Sequence, residues 1–207
     1  MTPDTTPERL RRLPQQQRSR EKLRRVLDAA EEVLGREGAE AFSTVRVAEA
    51  AEISVGSLYR YFPDKEAIVE ALAVRYWSDF EDLVGAVAAA DERDPLDEPM
   101  QAIVEVLATG FRAHPGFLAL WFGGLRSERV RDATRPARTA FARTVERMLA
   151  ARWPDAGPAE LEIVSRIAVL IGDGMLREAF RLDPEGDPIV IDECHRALAA
   201  YIASRLG

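Results

Sequence analysis

Apolar side chains recur along this chain at three- and four-residue spacings almost from end to end, a period that predicts helices. Leu23, Val26, Leu27, Ala30, Val33 and Leu34 share one face of a first helix starting near Ser19, with Gly35 and Gly38 loosening and ending it. Val45, Ala48 and Ala51, joined by Val47, give a short second helix a compact apolar face. Glu52-Ile53-Ser54 interrupts it, and Ser54 is placed to cap a third helix through its hydroxyl oxygen. In that third helix Leu58 and Phe62 point one way, leaving Val55, Ser57, Tyr59 and Arg60 on other faces. Pro63-Asp64 marks a new start, with Asp64 as the cap of a fourth helix over about residues 65–90.

Proline and glycine punctuate the remainder. DERDPLDEP reads as a loop, then a helix over 99–113 ends at His114-Pro115, because the residue before proline is pushed out of the helical region. A short helix over 116–122 stops at Gly123-Gly124, and a longer one over 127–152 is expected to kink at Pro136. Helices over 159–181 and 189–206 follow, separated by the loop DPEGDP. The sequence shows no alternating strand pattern and no internal repeat. The expected fold class is all-α.

Two short helices joined by a tight turn match the module that lays its second helix in the major groove of DNA. The string TVRVAEAAEISVGSLYRYFPDK, residues 44–65, resembles the signature of the TetR family of bacterial transcriptional repressors. The matching residues are Thr44, Ala48, Ala51, Ile53, Ser54, Gly56, Leu58, Tyr59, Tyr61, Phe62, Lys65 and Glu66, preceded by Leu27, Ala29, Ala30, Leu34 and Gly38. The resemblance is specific over about residues 18–70. It implies an N-terminal three-helix DNA-binding domain plus a C-terminal helical domain for dimerisation and ligand binding. The corresponding boundaries are a flexible arm over 1–17, a helix-turn-helix domain over 18–64 and the helical body over 65–207. It also implies a homodimeric repressor released from a palindromic operator by a small-molecule effector. Two positions depart from the family pattern. Glu52 stands where glycine is usual, so the turn is either kept in left-handed form, at a strain of about 1–2 kcal/mol, or bent differently. Val45 stands where a polar or basic residue is common, which removes one potential backbone or base contact.

Composition adjusts this picture. The 207 residues are 47% hydrophobic and 30% charged, an ordinary globular balance. The single Cys194 cannot form an intrachain disulfide, and no signal-like or membrane-length apolar run appears, so a cytoplasmic location is expected. A net charge of −7 argues at first against nucleic acid, but its distribution reverses the impression. Residues 9–25 hold eight basic side chains against the one acid Glu21, and the chain through Lys65 sums to +1 while the rest sums to −8. DNA binding needs a local basic surface, not a basic total.

Candidate contacts follow. Lys65 lies in the first turn of the fourth helix, where the macrodipole disfavours a cation and a docked phosphate would find both free N–H groups and a charge. Thr44 is placed equally well to cap the second helix or to donate to a phosphate, and Arg46 lies in that helix beside it. Tyr59 and Tyr61 alternate with Leu58 and Phe62. The resemblance implies that these tyrosines press on the DNA backbone, although Tyr61 could instead pack on the first helix. Ser54, Val55, Gly56 and Ser57 form the leading turn, in which Gly56 allows close approach, Val55 offers methyls to thymine and Ser57 offers a hydroxyl. Arg60 suits guanine or phosphate, and Arg18, Arg20 and Lys22 suit the adjacent backbone or minor groove.

In the middle helices Trp77, Phe80, Phe111, Phe117, Trp121, Phe122 and Phe141, with Met175 nearby, read either as plain core or as the apolar effector pocket that the resemblance implies. Ile163, Ile167, Leu170, Ile171, Gly174 and Met175, with Ile191, Leu198, Ala199, Ile202 and Leu206, are the expected pairing surface of the last two helices. Gly172 and Gly174 would permit close approach there or within the chain. Only His114 and His195 are present, and no metal spacing, phosphate loop or nucleophile motif appears, so no catalytic residue, metal or cofactor is expected. The competing reading is a helical protein-interaction module without sequence-specific DNA binding.

Overall fold

The computed structural model describes residues 9–93, 99–125 and 127–207; for residues 9–19, 92, 93 and 99 it describes the backbone alone. The described residues form helices joined by turns and short loops. The elements are α1 (Arg9–Ala41), α2 (Thr44–Ala50), α3 (Val55–Tyr59), α4 (Lys65–Arg93), α5 (Pro99–Ala113), α6 (Pro115–Phe122), α7 (Glu128–Arg152), α8 (Pro158–Leu182) and α9 (Pro188–Leu206). α4 packs chiefly on α7, α8 on α9, and α1 on α6.

Several boundaries fall where local chemistry puts them. α6, α8 and α9 each begin on a proline, one residue earlier than the spacing predicts. Proline is well placed there because its fixed φ suits the first turn and its missing N–H has no intrahelical partner to lose. α7 continues as one element through Pro136. α1 starts at Arg9, so the arm expected over 1–17 overlaps it, while residues 1–8 lie outside the described residues. The arginines and glutamines of that stretch are good helix formers, and they extend the helix. Gly38, at φ 78°, breaks the helical geometry near the end of α1 and turns the chain toward α2.

The N-terminal unit has its own tight core. Val26, Ala30 and Leu34 of α1 meet Val47 and Ala48 of α2, Leu58 of α3, and Phe62. α4 continues this core into the body through Ile68, Leu72 and Tyr76, each completely buried. α3 has five residues, too short to be stable on intrinsic propensity, so packing of Leu58 and its cap hold it in place.

Candidate functional site

α3 is fixed from both sides. Ser54 caps it by accepting a hydrogen bond from the Ser57 backbone N–H at 3.2 Å, and Leu58 is completely buried beneath it. The opposite face is open. A Cβ placed on Gly56 would meet nothing within 4 Å, and Tyr59 is 50% exposed. The Tyr59 hydroxyl lies 3.4 Å from Thr44 Oγ1, which joins the leading end of α2 to the trailing end of α3. Ser54 Oγ donates to Ser57 Oγ at 3.1 Å, and Arg60 Nη2 donates to the same oxygen at 3.1 Å.

The turn before α3 shows the expected strain. Glu52 has φ 54°, the only left-handed non-glycine residue among those described. The N-cap of α2 is Ser43, whose Oγ accepts from the Arg46 N–H at 3.3 Å, so Thr44 is not the cap. Thr44 sits inside the first turn, and its hydroxyl faces Tyr59.

Two cations at this edge differ in their commitments. Arg46 is held by Glu37 at 2.6 Å and Glu49 at 3.0 Å, and these partners raise its pKa while hydrogen bonding lowers that of Glu37. Its guanidinium would have to leave a carboxylate to reach DNA. Lys65 has no ion pair among the described residues, and its Nζ lies 5.6 Å from the Phe42 ring centroid. The acids around Lys65 are neutralised from the body: Arg129 of α7 pairs with Asp64 and Glu66 at 3.2 Å, and with Glu70. Asp64 also accepts from the Ala67 N–H at 2.7 Å, capping α4; this bond and Arg129 hold its carboxyl below the usual range. Tyr61 is half-buried against the core. Arg20 and Lys22 are exposed on α1, and the Arg18 side chain lies outside the described residues.

A polar seam joins this unit to the body. Glu31 of α1 accepts from the Tyr76 hydroxyl and from the Gly116 N–H at 3.1 Å, with His114 Nδ1 at 3.9 Å and Arg75 at 3.8 Å. Burial pushes the Glu31 carboxyl up to about 7, against the lowering effect of the Gly116 N–H and Arg75. Burial likewise raises Asp79, which lies 3.9 Å from His114 Nε2, and lowers His114. The backbone approach is close: a Cβ on Gly116 would stand 2.7 Å from the Tyr76 hydroxyl and 3.0 Å from the Glu31 carbonyl. The spacing of Leu27, Glu31 and Leu34 carried the signal, since it puts an acid on the apolar face of α1.

The body holds a narrow apolar cavity that opens to solvent. Trp77, Phe80, Phe111, Phe117 and Phe141 line it, joined by aliphatic residues that composition alone could not separate from core, among them Ile103, Val104, Leu107, Val145, Leu176 and Leu198. The rings interlock: Phe117 lies 5.1 Å from Phe80, 5.0 Å from Phe111 and 5.3 Å from Tyr76, so the cavity wall touches the polar seam. Three expected lining residues lie outside the wall. Phe122 is 49% exposed at the end of α6, turned away from the face that buries Phe117 and Leu120. Trp121 stacks behind Phe117 at 5.0 Å, and Met175 is half-buried beside the wall.

The expected pairing surface divides. On α8, Ile163 and Leu170 are exposed, and Gly174 borders open space. On α9, Leu198 and Ile202 are buried within the chain, because α9 turns that face onto its own α8. Gly172 is buried on the cavity wall, 3.9 Å from Leu198 Cδ1 if given a Cβ. Among the described residues no helix is long and apolar enough to cross a membrane, and no cluster of metal-ligating side chains occurs.

Comparison with known proteins agrees with this architecture. Residues 26–72 match the family described as bacterial regulatory proteins, tetR family, and residues 95–202 match the tetracyclin repressor-like C-terminal domain. The HTH-type transcriptional repressor KstR of Rhodococcus jostii is 31% identical over 156 residues, which are 74% of this chain and 69% of that protein. KstR of Mycolicibacterium smegmatis is 46% identical over 54 residues, 26% of each chain. The crystal structure of a TetR-family transcriptional regulator from Streptomyces coelicolor superposes with a TM-score of 0.65 at 26% identity, covering 89% of this chain and 99% of that one. Helix-turn-helix, helical body and sequence relationship coincide: the chain belongs to the TetR family and is a DNA-binding transcriptional repressor.

Proposed function

We propose that the protein acts as a homodimer that holds two copies of α3 against a palindromic operator and lets go when an apolar effector enters the cavity. The observation that carries this reading is the two-sidedness of α3. Leu58 anchors one face in the core while Gly56 and Tyr59 stand open on the other. In this reading Val55, Gly56, Ser57 and Tyr59 meet base edges or backbone. Thr44, Tyr61, Lys65, Arg20 and Lys22 bind phosphates, and Arg18 joins them from outside the described side chains. Ser54 serves chiefly as the cap, and Arg46 and Arg60 join only by exchanging partners. Few of these groups carry a bidentate code, so sequence-dependent DNA shape shares the discrimination. The division into arm, reading head over 18–64 and body over 65–207 is part of the same proposal.

Pairing would use the exposed stripe of Ile163, Leu170 and Gly174 on α8, with Ala199 of α9 beside it. A dimer sets two reading heads about 34–36 Å apart, one turn of DNA. Effector entry would displace Phe117, and through Tyr76 and Gly116 shift α4 and α1 relative to the body. The decisive measurement is footprinting and salt-dependent titration on the protein's own promoter DNA. Protection of two half-sites one turn apart, with affinity falling steeply as salt rises, is the expected result. Equal binding to a scrambled duplex, or a monomer in sedimentation at all concentrations, would sink it.

A further inference from the structure

The cavity's chemistry is uneven, and on the reading that it is the effector site, that unevenness points to a ligand class. Its wall is apolar except at one end, where Asp173 of α8 reaches it. The charge of Asp173 is matched. Arg177 Nη2 donates to its carboxylate at 2.6 Å, and Arg177 Nε donates to its carbonyl at 2.9 Å. Arg138 of α7, one turn before Phe141, has no ion pair among the described residues. Its guanidinium lies over the Trp77 ring at 5.5 Å, and its buried Nε finds no hydrogen-bond acceptor among the described residues. Trp77 itself is 3% exposed, lines the cavity, and leaves its Nε1 donor without an acceptor there.

Behind the wall formed by Trp77 and Asp173, Arg138 lies against the Trp77 ring and Arg177 is paired with Asp173, which leaves the Arg138 Nε and Trp77 Nε1 donors to spare. Burial lowers the Arg177 pKa, and the nearby charge of Arg138 lowers it further. Arg138 also lines an open groove between α7 and α8, and Val169 is wall to both spaces. Along the groove Arg135, Arg143 and Arg166 outnumber Glu146 and Glu162, and its rim at Leu170 adjoins the pairing surface proposed above.

We propose that the cavity takes an apolar molecule with one anionic end, its hydrocarbon body among the rings and its charge at Arg138 and Trp77 Nε1, where the cavity meets the groove. Apolar burial supplies the affinity. The anion supplies the acceptor that two buried donors lack, and a buried donor without a partner is costly. A neutral end would leave Arg138 unpaired, and a cationic end would meet the excess guanidinium charge.

The test is calorimetric titration of the full chain with dodecanoate, 1-dodecanol and dodecyltrimethylammonium, each below its micelle concentration, with operator binding followed in parallel. Dodecanoate is expected to bind about tenfold tighter than 1-dodecanol, and the ammonium weakest. Arg138→Met, checked for unchanged melting, is expected to weaken dodecanoate while sparing 1-dodecanol. Equal affinity for the acid and the alcohol, or a preference that survives Arg138→Met, would overturn the anionic end. If 1-dodecanol then still binds and releases operator, the cavity stands as effector site without it. Binding by none of the three probes would remove both readings.

Discussion

The reading head and the helical body are built from the same kind of amphipathic helix but solve opposite problems. In the head the reading helices α2 and α3 are short, so α3 depends on a few residues: Leu58 below it, Ser54 at its cap and Glu52 in the turn before it. One face must be rigid so that the other can be presented. In the body most helices are long and pack on several neighbours, which lets the rings and aliphatic side chains leave a narrow cavity between them. A cavity forfeits contact energy, and a body of this size can bear that loss where the small core under α2 and α3 cannot. Stiffness is concentrated where DNA would be read, and slack where a ligand would enter.

The largest effect that sharpens this contrast should come from Leu58→Ala. It removes a fully buried side chain from the head and should cost about 2–5 kcal/mol, with operator binding lost and the body's helicity retained in circular dichroism. Retained operator affinity would show that α3 does not depend on that anchor. Lys65→Ala should weaken operator binding by about tenfold and lower the salt slope by about one, with an unchanged melting temperature. An unaltered slope would remove Lys65 from the phosphate contacts.

A third variant, Glu31→Gln, probes the seam where the two regions meet. The carboxyl is pushed up from 4.5 to about 7 in the folded chain, so the folded state holds the proton more tightly than the unfolded one. The stability this contributes is fully present below 4.5, declines as pH rises from there to about 7, and is gone above that. Melting temperatures followed across this window should therefore fall in the parent and stay flatter in Glu31→Gln. Parallel curves would mean that Glu31 is ionised throughout. The smallest effect is expected from Glu52→Gly, which relieves a left-handed residue at φ 54°. The gain should be about 0.5–1 kcal/mol, since glycine's extra freedom in the unfolded chain offsets part of the relief. A lower melting temperature would indicate that the Glu52 side chain contributes contacts of its own.

Much of the head was legible residue by residue. Leu58 and Phe62 turned inward, Ser54 capped α3, Asp64 capped α4, and the turn at Glu52 took the left-handed form. The first three follow from interactions within four or five residues, which local spacing encodes, and the turn at Glu52 was legible only through the family resemblance. Apart from the cap of α2, which shifted by one residue, the departures were contacts made across distance in the chain. Ser43 and not Thr44 caps α2, and Arg46 is drawn to Glu37 of α1. Phe122, an aromatic among aromatics in the text, ends on the surface. The Glu31 seam and the Arg129 cluster each join residues dozens of positions apart.

Spacing, capping residues and the placement of proline and glycine were enough to specify an all-helical chain with a helix-turn-helix near its start, because hydrogen bonds within a helix and the burial of one helical face are local properties. Which rings enclose a cavity, which carboxylate keeps its proton and which arginine is left without an acid depended on how α1, α4, α6, α7 and α8 meet. Burial and pairing arise only when distant segments share a dielectric and exclude water together, and no periodicity along a single strand of text encodes that.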